Sequence, residues 1–235
     1  MGYYIPDPRF EAPELFIPGV KPTGPVVVGF ERPLARGLVS CYIFQEMSGN
    51  TVYDLARQRN IDIAGTSHSW TREGWASANP NSDSSYIEMG DLQVDQTMLI
   101  KYKPNNVSYG NDGVWDQSAH ADDAETWIYT SGDWAARQNF ASKIQVPGAV
   151  SGVGQSHAYA YNESGSGEVY IDGTSRGTKA TGTISSRGFV RLSSGAGNQS
   201  GAGGVFEYAM HFARKLSATE VISLQRDPYQ FLIPA

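Results

Sequence analysis

The chain has 235 residues, of which 18 are Lys or Arg and 24 are Asp or Glu, giving a formal net charge of −6. A surface that binds nucleic acid needs clustered basic residues, and no run of Lys or Arg occurs, so the composition argues against a nucleic-acid partner. The length allows one sizeable core, and 26 glycines with only 18% charged residues are typical of many short strands joined by tight turns.

Cys41 is the only cysteine, so no internal disulfide can form. A lone thiol within an apolar run is usually a small buried hydrophobe, which fits synthesis in a reducing cytoplasm. The first residues lack the basic start and apolar stretch of a secretory signal. No segment approaches the roughly 20 apolar residues that cross a bilayer, so we expect no membrane partner.

Residues 1–28 are predicted to form an extended arm, because six of the twelve prolines lie there. Proline fixes φ and removes a hydrogen-bond donor, which disfavours a helix or a central strand. The arm also carries four aromatic residues, Tyr3, Tyr4, Phe10 and Phe16, which a merely solvated linker would lack. Two hypotheses stay open: the arm lies on its own domain, or these four side chains bind another subunit.

The first strands are predicted within residues 37–63. Residues 38–44 form an apolar run that is too short for an ordinary helix, and both of its faces are apolar, which places it between two layers. A turn at 48–50 and short strands at 51–53 and 61–63 follow.

The middle of the chain is predicted as strands separated by polar loops. The strands are expected at 86–89, 97–102, 127–129 and 140–146, and the loops at 67–85 and 109–125. The second loop is acidic, with Asp112, Asp116, Asp122, Asp123 and Glu125.

The last third gives the most specific local signals. Asp172-Gly173 ends an alternating run and predicts a two-residue hairpin turn with positive φ at both residues. Further strands are expected at 157–161, 188–192 and 205–212. The glycine-rich loop 193–204 lacks the spacing of a phosphate cradle. Ser217 and Glu220 form a capping box, which predicts one short helix that ends before Asp227.

These elements predict an all-β protein: one two-sheet antiparallel jelly-roll sandwich at 29–226, with one short C-terminal helix, the arm at 1–28 and a tail at 227–235. The elements and their order resemble the laminin-G-like, concanavalin-A-like jelly-roll family. The matching segments are 37–55, the hairpin at 168–173, and 206–222 with its Leu-Ser-Ala-x-Glu helix start. The resemblance implies the fold more than a function, because this sandwich hosts lectins, glucanases, adhesion modules and structural proteins.

A finer resemblance is to small phage-encoded proteins of that family, through Pro-Leu-Ala-x-Gly-Leu-Val at 33–39 and Asp-Pro-Tyr at 227–229. It implies a virion protein made in the host cytoplasm, such as a capsid decoration or accessory protein. The expected partners are then other virion proteins such as the major capsid protein. A homo-oligomer is also expected, a trimer more than a dimer.

We expect no enzyme. Glucanases of this fold carry Glu-x-Asp-x-x-Glu, and Glu168 with Asp172 is as near as this chain comes to that spacing. Ser, His and Asp are all present, but no Gly-x-Ser-x-Gly nucleophile elbow is expected. The four histidines have no metal-ligand spacing, and His211, within an apolar strand, is predicted to be a core residue.

Calcium is the one cofactor that the resemblance leaves open. Asp54 matches an acidic position of the family motif, but the loop after it reads Ala-Arg-Gln-Arg-Asn at 56–60, and two arginines would repel a cation. The acidic loop 109–125 is the other candidate, although a solvated surface loop is the simpler interpretation.

The alternative function is a carbohydrate-binding, lectin-like adhesion module that recognises surface glycans from the particle. Five tryptophans, Trp70, Trp75, Trp115, Trp127 and Trp134, lie in or beside predicted loops and could stack on sugars. Two or three of them are expected to be packing residues instead.

Overall fold

The structure is a computed structural model that describes residues 18–77, 85–91, 93–105, 112–117, 124–128, 133–138, 143–181, 188–193 and 203–235. Its elements in chain order are β1 (Val26–Val28), β2 (Leu38–Tyr42), β3 (Thr51–Asp54), β4 (Arg59–Ala64), β5 (His68–Trp70), β6 (Trp75–Ser77), β7 (Tyr86–Asp91), β8 (Asp95–Pro104), β9 (Asp112–Gln117), β10 (Ala124–Ile128), β11 (Asp133–Gln138), β12 (Ile144–Pro147), β13 (Gln155–Asn162), β14 (Ser166–Ile171), β15 (Thr174–Ala180), β16 (Phe189–Leu192), β17 (Gly204–Phe212), α1 (Ala218–Arg226) and β18 (Leu232–Pro234). A helical turn also spans Pro33–Ala35. The described ranges hold no helix that could span a bilayer, and α1 has nine residues.

Two eight-stranded antiparallel sheets form the predicted sandwich. The first sheet has the order β12-β11-β10-β9-β16-β7-β4-β3. The second has the order β15-β14-β13-β8-β17-β6-β5, with β2 also paired to β17. Strands far apart in sequence are neighbours in both sheets, as the jelly-roll prediction requires.

The main core lies between the two sheets and is rich in aromatic side chains. Alternation along the strands decides which side chains enter it. In β13, Tyr159 and Tyr161 point into this core, and Ala158 and Ala160, which alternate with them, point the other way. Trp75, Trp115 and Trp134 are fully buried in it.

A second core covers the opposite face of the second sheet. The helix α1 and the two-stranded sheet β1–β18 pack there, with Leu224 and Phe231 fully buried. This explains the two-sided apolar pattern of β2, since Tyr42 belongs to the main core and Cys41 to the second one. The predicted placement of this strand between two layers is therefore confirmed. Residues 18–28 and 227–235 pack on the domain through the same core.

The local turn and cap predictions are also confirmed. Asp172 and Gly173 have φ of 48° and 77° in the turn between β14 and β15. The Ser217 hydroxyl accepts the Glu220 amide proton at the start of α1, and the Glu220 carboxylate accepts the Ser217 amide proton at 2.9 Å.

The two predicted polar loops are wrong in part. Residues 68–70 and 75–77 form β5 and β6 inside the range 67–85, and 112–117 form β9 inside the acidic range. The acidic residues around β9 favour a loop in the sequence, but Val114 and Trp115 of this strand are fully buried. Asp116 is also buried, so the acidic stretch is not simply a solvated loop.

Candidate functional site

A cleft opens in the first sheet where β4 and β7 separate. The two strands pair only at Ile63 with Ile87 and at Ala64 with Tyr86. Beyond these residues β4 stays paired with β3, while β7 stays paired with β16. The space between them, the β4–β7 cleft, has a volume of about 410 Å³ and is lined by Val39, Arg57, Arg59, Ile61, Glu88, Gly90, Asp91, Gln93 and Phe189.

Gly90 shapes the back of the cleft. Its φ of 109° is a conformation that side chains rarely adopt, and it lies where the pairing of β7 with β16 shifts register. A Cβ at this position would stand 3.3 Å from Nη2 of Arg57 and 3.3 Å from Cγ1 of Val39. Glycine therefore lets Val39 and Arg57 line the cleft from behind β7.

Arg57 is held by a buried carboxylate. Its Nε lies 2.7 Å from Oδ2 of Asp54, whose side chain is fully buried. The other oxygen, Oδ1, accepts the backbone amide protons of Cys41, Ala56 and Arg57. Both oxygens are thus used within the protein, and the guanidinium supplies the positive charge that a metal ion would bring.

Glu88 is also paired within the protein. Its Oε1 lies 3.2 Å from Nη2 of Arg191, whose guanidinium carbon stands 4.4 Å above the centre of the Tyr86 ring. This cation–π and ion-pair stack fixes one wall of the cleft. The pair is partly exposed, so its effect is mainly positional.

Arg59 and Asp91 line the cleft from the two strands that have separated. Continuing the register of β4 and β7 from Ile63 and Ile87 places them on opposite strands, both exposed. Within the described part of the chain neither side chain has a hydrogen-bond or ion-pair partner. The separated strands keep this pair of opposite charges apart.

An exposed ring and an amide complete the lining. Phe189 begins β16 opposite Asp91 and exposes 47% of its surface. Gln93 follows β7, and its amide donates to the backbone oxygen of Asp91 at 2.8 Å. An exposed ring beside a guanidinium, a carboxylate and an amide suits a small polar ligand that also has an apolar face.

The predicted calcium positions do not form a metal cluster in the described residues. No group of three or more histidine, cysteine, aspartate or glutamate side chains comes together there. Asp54 instead pairs with Arg57, one of the two arginines of the loop that follows it. Asp122 and Asp123 lie outside the described residues, as do Tyr3, Tyr4, Phe10 and Phe16 of the arm.

The residues nearest to a catalytic spacing have structural roles. The Glu168 carboxylate accepts the Ser175 hydroxyl proton at 2.6 Å, and the Asp172 carboxylate accepts the Ser156 amide proton at 2.8 Å. The expectation that Gly-x-Ser-x-Gly is absent is wrong, since residues 173–177 have this pattern. They lie in a β-hairpin rather than between a strand and a helix.

His211 is a core residue, as predicted. It is fully buried, its Nε2 lies 3.0 Å from Oε1 of Gln96, and burial lowers its pKa to about 4.

The tryptophans do not form the sugar-stacking set that the sequence allowed. Trp75, Trp115 and Trp134 are fully buried, which confirms the expectation that two or three of the five are packing residues. Trp70 is half-buried against the main core, and its Nε1 donates to the backbone oxygen of Gly49 at 2.8 Å. The side chain of Trp127 lies outside the described part. The exposed ring of the cleft is a phenylalanine that sequence reasoning had placed only in a strand.

By sequence, no family model matches the chain and no curated protein is significantly similar. By structure it is similar to Trypanosoma rangeli sialidase in complex with sialic acid, with a TM-score of 0.64 and 12% identity over 81% of this chain and 33% of that one. It is also similar to botulinum neurotoxin type C, described as interacting with two ganglioside molecules, with a TM-score of 0.59 and 9% identity over 80% of this chain and 50% of that one.

A third similar structure is the binding domain of botulinum neurotoxin DC in complex with rat synaptotagmin II, with a TM-score of 0.58 and 10% identity over 80% of this chain and 51% of that one. The chain thus spans between a third and about half of the length of these proteins. At such low identity the likeness shows the fold alone. The fold is a β-sandwich.

Proposed function

We propose that this protein is a non-catalytic carbohydrate-binding module and that the β4–β7 cleft is its binding site. The observation that carries the proposal is the set of side chains that line the cleft. A half-exposed Phe189 ring lies there together with Arg59 and Asp91. In the described part of the chain, the side chains of Arg59 and Asp91 have no hydrogen-bond or ion-pair partner. Sugars present hydroxyl groups and an apolar ring face together, and this lining offers a counterpart to each.

Each group of the cleft matches one feature of a sugar. The Phe189 ring offers apolar area against a pyranose face. The Asp91 carboxylate accepts hydroxyl protons, and the Arg59 guanidinium donates to hydroxyl or carboxylate oxygens. The pairs Arg57–Asp54 and Glu88–Arg191 hold the surrounding walls in place, so ordering the site costs little entropy on binding.

The similar structures are compatible with this proposal. One of them is a sialidase that holds sialic acid, and another is a toxin that interacts with gangliosides. Both ligands contain sugars. For this chain the cleft carries the argument, since the shared fold serves many functions.

A glycan array with the purified protein tests the proposal, followed by calorimetry on the best ligand. We expect Phe189→Ala to weaken binding about tenfold or more, which corresponds to about 1.4 kcal/mol. Phe30→Ala is the matched control, because Phe30 is 48% exposed but does not line the cleft. Failure to bind any glycan, or equal losses in both variants, would reject the site. Release of reducing sugar from a bound polysaccharide would reject the non-catalytic part.

A second candidate function is a structural or accessory protein of a phage particle, attached through the arm. The phage-like segments at 33–39 and 227–229 and the four aromatic residues Tyr3, Tyr4, Phe10 and Phe16 support it. On this proposal the arm binds a virion protein such as the major capsid protein, or a second copy in a homo-trimer. The two candidates are compatible, since a glycan-binding module can be displayed on a particle.

The structure sharpens the test of the arm. The Lys21 ammonium donates to the backbone oxygens of Phe44 and Glu73 at 2.7 and 3.1 Å, and Val26 and Val28 are buried. Deletion of 1–17 therefore spares the packed segment, whereas deletion through 25 would remove Lys21. We expect the 1–17 deletion to keep the melting temperature and to lose oligomerisation in light scattering or attachment to particles. Unchanged assembly would reject this role.

A further inference from the structure

We infer that the β4–β7 cleft selects sugars that carry a carboxylate, with Arg59 as the residue that recognises the acid group. This inference rests on the proposed function and names its ligand class. The evidence is that two charged residues of the lining are paired with opposite charges of the protein, whereas the other two are not.

Two of the four charged residues in the lining are satisfied by the protein itself. Arg57 is paired with the buried Asp54 at 2.7 Å, and Glu88 is paired with Arg191 at 3.2 Å. Neither has to find a counter-charge on a ligand. These groups give the cleft shape, and they leave its charge selectivity to the other two residues.

Arg59 and Asp91 are the charged residues of the lining that lack a partner in the described part of the chain. They stand on strands that have separated, at positions that would face each other if β4 and β7 stayed paired. A ligand that enters the opening meets a guanidinium on one side and a carboxylate on the other. A planar guanidinium binds a carboxylate through two parallel hydrogen bonds, which a neutral hydroxyl cannot reproduce.

The opposite side of the cleft fixes the direction in which such a sugar binds. Asp91 repels a carboxylate and accepts hydroxyl protons, so the acid group is driven toward Arg59 and the hydroxyls toward Asp91 and Gln93. Phe189 lies opposite Asp91 in the pairing of β7 with β16, and its exposed ring covers the apolar face of the sugar. A uronic acid has these three features on one ring.

The chain as a whole is acidic, with a net charge of −6, and this bears on the binding conditions. Long-range repulsion of an anionic glycan is screened by salt over about 10 Å at 0.1 M, whereas a direct contact with Arg59 is screened less. Binding of an acidic sugar is therefore expected to survive physiological salt.

Matched oligosaccharides test the inference. Calorimetry compares a galacturonic acid oligomer with a galactose oligomer of the same length and linkage, each titrated into the full chain. We expect the acidic oligomer to bind about tenfold more tightly. Arg59→Gln is expected to remove this preference, because it should weaken binding of the acidic oligomer about tenfold more than binding of the neutral oligomer. Arg176→Gln is the matched control, because Arg176 is exposed on β15 and lies outside the cleft.

Each outcome separates the inference from the proposed function. Equal affinity for both oligomers, or a preference that survives Arg59→Gln, overturns the inference while Phe189-dependent binding leaves the proposed function standing. An array on which no glycan binds overturns both. Loss of the preference in Arg176→Gln as well would assign it to overall charge and would also overturn the role of Arg59.

Discussion

The Nε of Arg57 lies 2.7 Å from Oδ2 of Asp54, and the aspartate side chain is fully buried. The other carboxylate oxygen, Oδ1, accepts the backbone amide protons of Cys41, Ala56 and Arg57. These bonds hold the loop between β3 and β4 against the Asp54 side chain. This pair joins the sandwich to the site, because Arg57 also lines the β4–β7 cleft. It places a side-chain cation where the resemblance had left calcium open.

The first prediction is that folding does not depend on calcium. We expect the melting temperature to stay the same with a chelator and with millimolar calcium, since Asp54 already has its cation. Arg57→Ala should lower stability by about 3 kcal/mol, because it leaves a buried carboxylate without a counter-charge. Arg59→Ala is the control, as an exposed residue without a partner in the described part, and should change stability by less than about 0.5 kcal/mol. A calcium-dependent rise in the melting temperature would contradict the prediction.

Glu220 gives a prediction at acid pH. The Arg214 guanidinium, followed by bonds from Ser217, lowers the pKa of Glu220 to about 2. A carboxylate whose folded-state pKa is depressed stabilises the fold above its unfolded pKa, and this contribution is lost as the pH falls toward 2. The melting temperatures of the native chain and of Glu220→Gln should therefore converge between about pH 4.5 and 2. Parallel curves over that range would show that the carboxylate does not contribute.

His157 gives a prediction at higher pH. Its ring is buried, stacks on Trp134 at 4.7 Å, and has no hydrogen-bond partner among the described residues. Burial lowers its pKa from about 6.5 to about 3, so in that window the unfolded chain binds a proton that the folded chain excludes. Stability should therefore be complete above pH 6.5 and should fall with pH toward 3, by up to about 1.4 kcal/mol per pH unit.

Thermal melts of His157→Phe check this dependence. The variant keeps a ring against Trp134, and its melting temperature should fall less than that of the native chain between pH 7 and 4. Tyr159→Phe is the control, because its hydroxyl lies in the same core and burial raises its pKa further above this range. Tyr159→Phe should change the melting temperature by the same amount at every pH between 7 and 4. Equal pH dependence in all three proteins would mean that His157 is not the titrating group.

Gly167 gives a prediction about packing. A Cβ at this position would stand 2.7 Å from Cε2 of Tyr159 and closer still to its hydroxyl oxygen. Gly167→Ala should therefore cost about 1–3 kcal/mol in denaturant unfolding, as overpacking does elsewhere. Gly24→Ala is the control, since nothing lies within 4 Å of a Cβ there. Removing the hydroxyl in the double variant with Tyr159→Phe should restore part of the loss, and a cost unchanged by the second substitution would reject the contact.

Those parts of the fold that depend on local chemistry could be read from the sequence. The two-sided apolar run of β2, the positive φ at Asp172 and Gly173, and the capping box at Ser217 are all present. Strands β5, β6 and β9 were missed because the first two are three residues long and the third is interrupted by aspartates. β6 and β9 are strands because they pair with β17 and β16, which are distant in sequence, and β5 pairs with β6 at the edge of its sheet.

The site was harder to predict for a related reason. In the sequence, the arginines at 57 and 59 argue only against a calcium site. Arg57 is neutralised because it pairs with the buried Asp54. Arg59 is left without a counter-charge because β4 separates from β7. Neither fact has a local sequence signal. The positions of the tryptophans near predicted loops suggested exposed rings, whereas Trp75, Trp115 and Trp134 are buried.

Nuclear magnetic resonance can locate the surface at which sugars bind. A titration of the isotope-labelled protein with the best glycan from the array would be followed through its backbone amide signals. If sugars bind in the β4–β7 cleft, we expect shifts concentrated at Arg59, Gly90, Asp91, Gln93 and Phe189, with none around the exposed Phe30. Shifts centred on another surface, or a ligand that binds without perturbing these five residues, would contradict it.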